Sequence, residues 1–178
     1  RVLVTGCGPI GILTIMAVRN AGAAEIIATD IHASALALAH KLGADHVLNV
    51  AEEPEGLAGL VRHGGAFHVH FEASGSASVL RGALPHLRPR GILVQLGLGG
   101  DVPLPVNLVV TREVDLRGSF RFDEEFEEAV ALINSRRIDV RPLLSAVFPL
   151  DQALEAFEMA NDKSKATKVQ ISFDPDLE

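Results

Sequence analysis

Short apolar runs rich in β-branched residues alternate with longer, helix-like stretches along most of this 178-residue chain. Strands that alternate with helices indicate βαβ units, whose strands are parallel and whose right-handed crossovers place helices on both faces of the sheet. The pattern therefore predicts a doubly wound, six-stranded α/β sheet. The predicted strands are 2–5, 25–30, 46–50, 67–72, 92–97 and 115–120, and the helices between the first five are 9–21, 33–42, 54–62 and 76–87.

The first predicted strand runs directly into the sequence GCGPIG, a G-x-G-x-x-G pattern that begins at Gly6 and opens the first helix. Gly6 permits a tight turn, Gly8 allows the backbone to approach a diphosphate, and Gly11 lets the helix pack closely on the strand. Pro9 suits the first turn of a helix, where its missing N–H needs no partner. Together with the backbone N–H groups of Ile10 and Gly11, which would bind the diphosphate, these residues predict a dinucleotide site in a Rossmann fold.

An acidic residue ends the second predicted strand. Asp30 lies nineteen positions after Gly11, which is the spacing expected of the side chain that binds the ribose hydroxyls of a dinucleotide. A 2′-phosphate at that place would meet a fixed negative charge, and the next residues, Ile31 and His32, provide no arginine to bind it. The sequence therefore predicts NAD as the cofactor in preference to NADP.

The other reactive side chains of the sequence form no catalytic set. Cys7 occupies a variable position of the glycine-rich loop and is interpreted as a small filler residue. His68 and His70 share one face of a predicted strand but have no third ligand nearby in the sequence, so we expect no metal site in this chain. The segment SGS at 74–76 lacks the G-x-S-x-G pattern of a nucleophile elbow. We therefore expect no catalytic residue in this chain.

Charge and hydropathy limit the classes of partner. The formal net charge is −7, which disfavours nucleic acid or an anionic membrane surface as the main partner. No apolar run reaches the roughly 18 residues of a membrane span. The single cysteine excludes an intrachain disulfide and fits a reducing, cytoplasmic location.

The sequence pattern changes after Asp139. Residues 140–178 predict a strand, a short helix, a loop and a second strand, which do not continue the alternation of strands and helices. We expect a Rossmann domain at 1–139 and a C-terminal segment at 140–178 that packs on a domain outside this chain. The chain also begins one residue before its first predicted strand, so we expect it to be part of a longer protein.

Seven stretches carry a resemblance to a known family: VTGCGPIG, AAEIIATD, KLGADHVLN, FEASGSASV, GILVQLGLGG, REVDLRGSFRF and PLLSAVFPLDQALEAF. The chain resembles the C-terminal, cofactor-binding part of the medium-chain, zinc-dependent alcohol and polyol dehydrogenases. Within that family, LRGSFRF, VQLGLGG and DKSKATKVQISF favour members that act on L-idonate, with sorbitol-oxidising members next. The resemblance implies hydride transfer from a secondary alcohol to NAD, with zinc bound outside this chain and no activity from the chain alone.

The resemblance also implies cofactor contacts beyond the glycine-rich loop. Ala73 and Ser74 would lie near a ribose, and two further loops would frame the nicotinamide carboxamide through backbone groups. These loops hold Leu96, Gly97, Leu98, Ser119, Phe120 and Arg121. Arg121 would also face the substrate pocket, where a cation suits a sugar acid. The stretch 101–110 would form an edge strand that pairs with a second subunit, which predicts a homo-oligomer.

Three other functions remain open at this point. An S-adenosylmethionine methyltransferase also has a glycine-rich loop and an acid at the end of its second strand, but the sixth strand and the LRGSF loop count against it. The other two are a nucleotide-sensing regulatory domain and a zinc-free reductase of the same superfamily. Both would differ from a zinc-dependent dehydrogenase in the part of the protein outside this chain. A zinc-ligand pattern in that part would distinguish both from a zinc-dependent dehydrogenase.

Overall fold

Six parallel strands form the main sheet of the structure, a computed structural model that describes residues 1–60 and 66–174. The strands are β1 Val2–Thr5, β2 Ile26–Asp30, β3 His46–Asn49, β4 Phe67–Glu72, β5 Leu87–Gln95 and β6 Asp115–Gly118. They lie in the order β3-β2-β1-β4-β5-β6, so the direction of strand addition reverses between β1 and β4. The predicted doubly wound Rossmann sheet is therefore confirmed, and sheets of this kind bind ligands at the reversal point.

Helices pack on both faces of this sheet. The helices of the described residues are α1 Pro9–Asn20, α2 Ala33–Lys41, α3 Gly56–Leu60, α4 Ala77–Ala83, α5 Val106–Thr111, α6 Glu125–Asn134 and α7 Ala153–Asn161, of which α7 packs on a separate pair of strands near the C-terminus. On one face Ile12 of α1 packs against Val4, and on the other Leu80 of α4 packs with Leu3 and Leu93. Each such buried side chain stabilises the fold by about 1.5–3 kcal/mol. No helix in the described part of the chain is long and apolar enough to cross a membrane, and the cytoplasmic location stays a prediction.

The connection between α4 and β5 differs from the predicted one. The predicted helix 76–87 ends at Ala83 and continues as a 3₁₀ turn at Leu84–His86. Strand β5 then begins at Leu87, earlier than the predicted start at 92, because Leu87 is fully buried and pairs with Phe67 of β4. The predicted helix 54–62 is observed as α3, and its last two positions lie outside the described residues.

The predicted edge strand at 101–110 is wrong. Most of this stretch forms a loop and the first part of α5. Pro105 cannot donate a hydrogen bond to a strand partner, and the spacing of Leu104, Leu108 and Val109, which pack on the core, suits one face of a helix. The two edges of the sheet are β3 and β6, and all residues of β6 are exposed.

The C-terminal segment forms a small sheet of its own. Strands β7 Leu144–Pro149 and β8 Lys168–Ser172 are parallel and are joined through α7, in the predicted order of strand, helix, loop and strand. Leu143 joins the core beside α1, whereas Leu154 and Phe157 of α7 are 73% and 69% exposed. The segment is therefore anchored to the main domain at its beginning and leaves one face of α7 uncovered, while the domain boundary at 139/140 stays a prediction.

Candidate functional site

Two glycines of the glycine-rich loop are required by the close packing around it. Gly6 has φ +87°, and a Cβ atom there would lie 2.7 Å from the backbone nitrogen of Ser74. A Cβ atom on Gly11 would overlap the carbonyl oxygen of Gly6. These contacts are the tight turn and the close approach of helix and strand that the sequence predicts for the two positions.

Gly8, unlike Gly6 and Gly11, has open space beside its Cα atom. A Cβ atom on Gly8 would have no neighbour within 4 Å, and φ of −67° would accept any residue. Space is therefore free directly in front of α1. The first bond of that helix runs from the N–H of Ile12 to the carbonyl of Gly8, so the preceding N–H groups, including those of Ile10 and Gly11, have no acceptor within the helix. Free N–H groups facing open space at a helix N-terminus suit an anion.

Asp30 closes the glycine-rich loop onto the end of β2. Its Oδ2 accepts a hydrogen bond from the N–H of Cys7 at 2.6 Å, and its Oδ1 accepts from the N–H groups of Ile31 at 2.7 Å and His32 at 2.9 Å. Burial alone would raise the pKa of Asp30, but the bonds from Cys7, His32 and Ile31 outweigh it and lower the pKa. The group therefore stays anionic at neutral pH.

A groove of about 720 Å³ lies between the glycine-rich loop, the end of β2 and the loop after β4. The predicted residues that line it are Gly6, Gly8, Pro9, Ile10, Asp30, Ala73 and Ser74. A wall that the sequence did not reveal comes from residues 163–167, between α7 and β8. Ser34 at the start of α2 donates a hydrogen bond to the carbonyl of Ser164 at 3.2 Å, which joins this wall to the Rossmann domain.

A second cavity of about 470 Å³ lies at the ends of β5 and β6. Among the predicted residues, Gly97 and Leu98 line it, together with Gly75 and Gln95. The predicted residues that line neither cavity are Gly11, Leu96, Ser119, Phe120 and Arg121. The Arg121 guanidinium lies 4.5 Å from the ring centre of Phe120, which is 67% exposed, and its contact with a substrate stays a prediction.

Glu72 connects the loops that line these two cavities, and sequence reasoning missed it. The side chain is fully buried at the end of β4. It accepts hydrogen bonds from the N–H and hydroxyl of Ser74, from the N–H of Gly75 at 3.1 Å and from Nε2 of Gln95 at 2.6 Å. The signal in the sequence is an acidic residue that ends a predicted strand and shortly precedes a serine and a glycine.

The remaining candidate side chains, Cys7, His68 and His70, form no reactive group or metal site with one another. Burial raises the pKa of the Cys7 thiol to about 12, and the charge of Asp30 adds to the effect, so this cysteine is a filler residue as predicted. His70 is fully buried with Nε2 2.9 Å from Oγ1 of Thr5, while His68 is exposed beside the N-terminal amine. Within residues 1–60 and 66–174, no group of three or more His, Cys, Asp and Glu side chains is placed to hold a metal ion.

Comparison with known proteins identifies relatives over nearly the whole chain. The family model for zinc-binding dehydrogenases matches residues 9–135. L-idonate 5-dehydrogenase (NAD(P)(+)) of Escherichia coli strain K12 is 40% identical over 97% of this chain and 50% of its own length, and sorbitol dehydrogenase of Ovis aries is 37% identical over 98% and 50%. The chain thus spans about half the length of these curated relatives.

Solved structures give the same result. The crystal structure of L-idonate 5-dehydrogenase from Escherichia coli superposes with a TM-score of 0.89 at 40% identity, over 97% of this chain and 50% of the other. The 2R,3R-butanediol dehydrogenase of Bacillus subtilis superposes with a TM-score of 0.89 at 25% identity, over 98% and 51%. The described sheet and the C-terminal segment are therefore shared with about half of each of these longer chains.

Proposed function

Because this chain belongs to the zinc-binding dehydrogenase family, we propose that it is the cofactor-binding part of an oxidoreductase that uses NAD. The family resemblance predicted from the sequence is confirmed by the match over residues 9–135. The observation that carries the cofactor proposal is the open space in front of Gly8, next to free N–H groups at the start of α1. The proposed substrate of the full-length protein is a secondary alcohol of a sugar acid or polyol, with L-idonate first.

Each part of the site has a separate task in this proposal. The N-terminus of α1 binds the diphosphate through backbone N–H groups. Asp30 binds the ribose hydroxyls through the lone pairs that its backbone contacts leave free, and its negative charge repels a 2′-phosphate. Ala73 and Ser74 continue the groove toward Gly97 and the second cavity, where the nicotinamide would lie. A nicotinamide cofactor supplies the hydride acceptor when bound.

We place the zinc of this family outside this chain. The described residues offer no metal-binding group, so their part in the reaction is to bind and orient the cofactor.

Two uncovered apolar faces support a partner domain. Phe126, Val130 and Ile133 share one face of α6, and Leu154 and Phe157 lie on α7, all at least 39% exposed. A stable isolated domain seldom leaves aromatic faces of this kind in water.

We further propose a homo-oligomer through the sheet edge, with β6 in place of the stretch 101–110. The exposed strand Asp115–Gly118 offers unpaired backbone groups to a second copy. Analytical ultracentrifugation of the full-length protein should give the mass of a dimer or a larger multiple. A single monomeric species at high protein concentration would contradict this proposal.

Two matched glycine substitutions test the cofactor proposal. Gly8 and Gly82 both have no neighbour within 4 Å of a built Cβ atom and neither has a positive φ, so valine should be accommodated at each. Only Gly8 lines the groove. We expect Gly8→Val to weaken NADH binding at least about tenfold, because the side chain fills the diphosphate position, whereas Gly82→Val should bind NADH like the unsubstituted chain.

Calorimetric titration with NADH measures both affinities, and thermal unfolding checks that each variant is folded. Unchanged NADH affinity in a folded Gly8→Val variant would rule out the groove as the dinucleotide site. Binding of S-adenosylmethionine in place of NADH would favour the methyltransferase alternative.

A further inference from the structure

Glu72 is a buried carboxylate without a cationic partner. It is fully buried, and no salt bridge in the described part of the chain involves it. All its hydrogen-bond partners are neutral donors: the N–H of Ser74 at 2.8 Å, the Ser74 hydroxyl, the N–H of Gly75 and the amide of Gln95. A carboxylate anion accepts from every one of these groups, whereas a protonated carboxyl would place its own O–H against them.

The absence of a countercharge is unusual for such a buried group, since buried charges are normally paired or bind metals. His70 lies two residues earlier on the same face of β4, but burial lowers its pKa to about 3, so it is neutral at neutral pH. The negative charge of Glu72 is therefore compensated by dipoles alone.

The carboxylate lies directly under the wall between the groove and the second cavity. Its partner Ser74 lines the groove, and its partners Gly75 and Gln95 line the second cavity. A Cβ atom on Gly97, which lines the second cavity, would lie 2.7 Å from Oε2 of Glu72, so the carboxylate packs directly against the backbone of this wall. Because Glu72 is fully buried, its charge is screened less by solvent and acts more strongly on a nearby ligand than an exposed charge would.

We propose that Glu72 is the counter-ion of the oxidised nicotinamide ring, which carries a positive charge that the reduced ring lacks. This inference rests on the proposed function, because it requires the nicotinamide to lie at the boundary of the two cavities. Glu72 then favours the oxidised cofactor over the reduced one by electrostatic attraction. It acts as a positioning residue too, since its hydrogen bonds hold both loops in place.

Glu72→Gln tests the charge with almost no change of shape. The affinities of NAD⁺, NADH and ADP are measured by calorimetric titration for the unsubstituted chain and the variant. We expect the variant to lose about tenfold more affinity for NAD⁺ than for NADH, whereas ADP, which carries no nicotinamide, should lose no more affinity than NADH does. Equal losses for NAD⁺ and NADH would overturn the proposal, because a purely structural role affects both alike.

Gln95→Leu is the matched control, because it removes one donor to Glu72 but keeps the negative charge. We expect it to change the NAD⁺ and NADH affinities by the same factor. A selective loss of NAD⁺ affinity in this control would also count against the charge as the cause.

A measurement on the unsubstituted chain covers the case in which Glu72→Gln does not fold. Benzamide adenine dinucleotide has an uncharged ring of nearly the same shape as nicotinamide. We expect it to bind several-fold more weakly than NAD⁺, and equal affinity would overturn the proposal. If the chain binds neither ADP nor NADH, the proposed function is overturned as well. If it binds ADP but binds NAD⁺ and benzamide adenine dinucleotide equally well, this inference alone is overturned.

Discussion

Each oxygen of Asp30 already has a partner within the protein. The bonds to the N–H groups of Cys7 and His32 mean that the residue predicted to read the ribose also fixes the shape of the glycine-rich loop. A substitution of Asp30 therefore changes both the affinity for a cofactor and the preference for NADH over NADPH. The ratio of the NADH and NADPH affinities isolates the change in preference.

We expect Asp30→Ala to weaken NADH binding by about tenfold or more, since a hydrogen bond to a charged group contributes about 1.5–3 kcal/mol. NADPH should lose less, because the repulsion of its 2′-phosphate disappears. Asp45→Ala is the control, because Asp45 also accepts a backbone N–H, that of Ile26 at 2.7 Å, but does not line the groove. Calorimetric titration with both cofactors gives the ratio, and an unchanged ratio in Asp30→Ala would refute the assigned role.

His70 makes stability depend on pH. Burial lowers its pKa to about 3 in the folded chain, while an unfolded histidine titrates near pH 6.5. The unfolded state therefore binds an extra proton between these values, so stability is fully present above about pH 6.5 and falls as the pH decreases. The loss is at most about 1.4 kcal/mol per pH unit.

Urea unfolding at pH 7 and pH 5 measures this effect. Relative to the unsubstituted chain, His70→Gln should lose about 2 kcal/mol less stability between these two values. Thr5→Val removes the hydroxyl partner of His70 but leaves the histidine, so it should lower stability at both values and keep the dependence. An identical dependence in His70→Gln would show that another group causes it.

At the scale of elements, local pattern and tertiary packing determined different parts of the fold. Strands β1 and β4 match the predicted residues throughout, and α1 differs by one residue, because β-branched residues in β1, apolar–polar alternation in β4 and a first-turn proline in α1 are local signals. The stretch 101–110 was assigned to a strand by resemblance, whereas its contacts with the core made part of it helical. Sequence reasoning identified the glycine-rich loop but not the wall at 163–167, since Ser34 and Ser164 are 130 positions apart.

The loop between α7 and β8 should contribute to anion binding. Lys163 and Lys165 both line the groove. Lys165 pairs with Asp162 at 2.9 Å, whereas Lys163 has no salt bridge among the described residues. We expect Lys163→Gln to weaken both ADP and NADH by about threefold at low salt and by less at high salt. Lys41→Gln, at the end of α2 and outside both cavities, should change neither affinity, and calorimetry at two salt concentrations makes the comparison.

At the scale of the whole molecule, the described residues form a groove beside the glycine-rich loop and leave apolar side chains uncovered elsewhere. The uncovered faces of α6 and α7 and the free edge of β6 lie on different elements. We therefore expect the chain to bind the cofactor without turning over a substrate. Binding depends on the described groove, whereas turnover depends on a metal-binding domain that we place outside this chain.

We expect the 178-residue chain to bind NADH but to show no turnover of L-idonate when zinc and NAD⁺ are added. NADH absorbance at 340 nm monitors turnover, and calorimetric binding of NADH in the same preparation verifies that the chain is folded. Measurable turnover would show that the chain itself holds the catalytic machinery and would overturn this division.

The central position of β1 has a consequence for the order in which the molecule folds. Val2–Thr5 is synthesised well before β4, with which it pairs and whose last residue is Glu72. The early segments can form local helices within microseconds, yet the middle of the sheet stays open until β4 leaves the ribosome. Parallel pairing between such distant segments is slow, so nascent chains that end before Glu72 should expose the apolar face of β1 to chaperones.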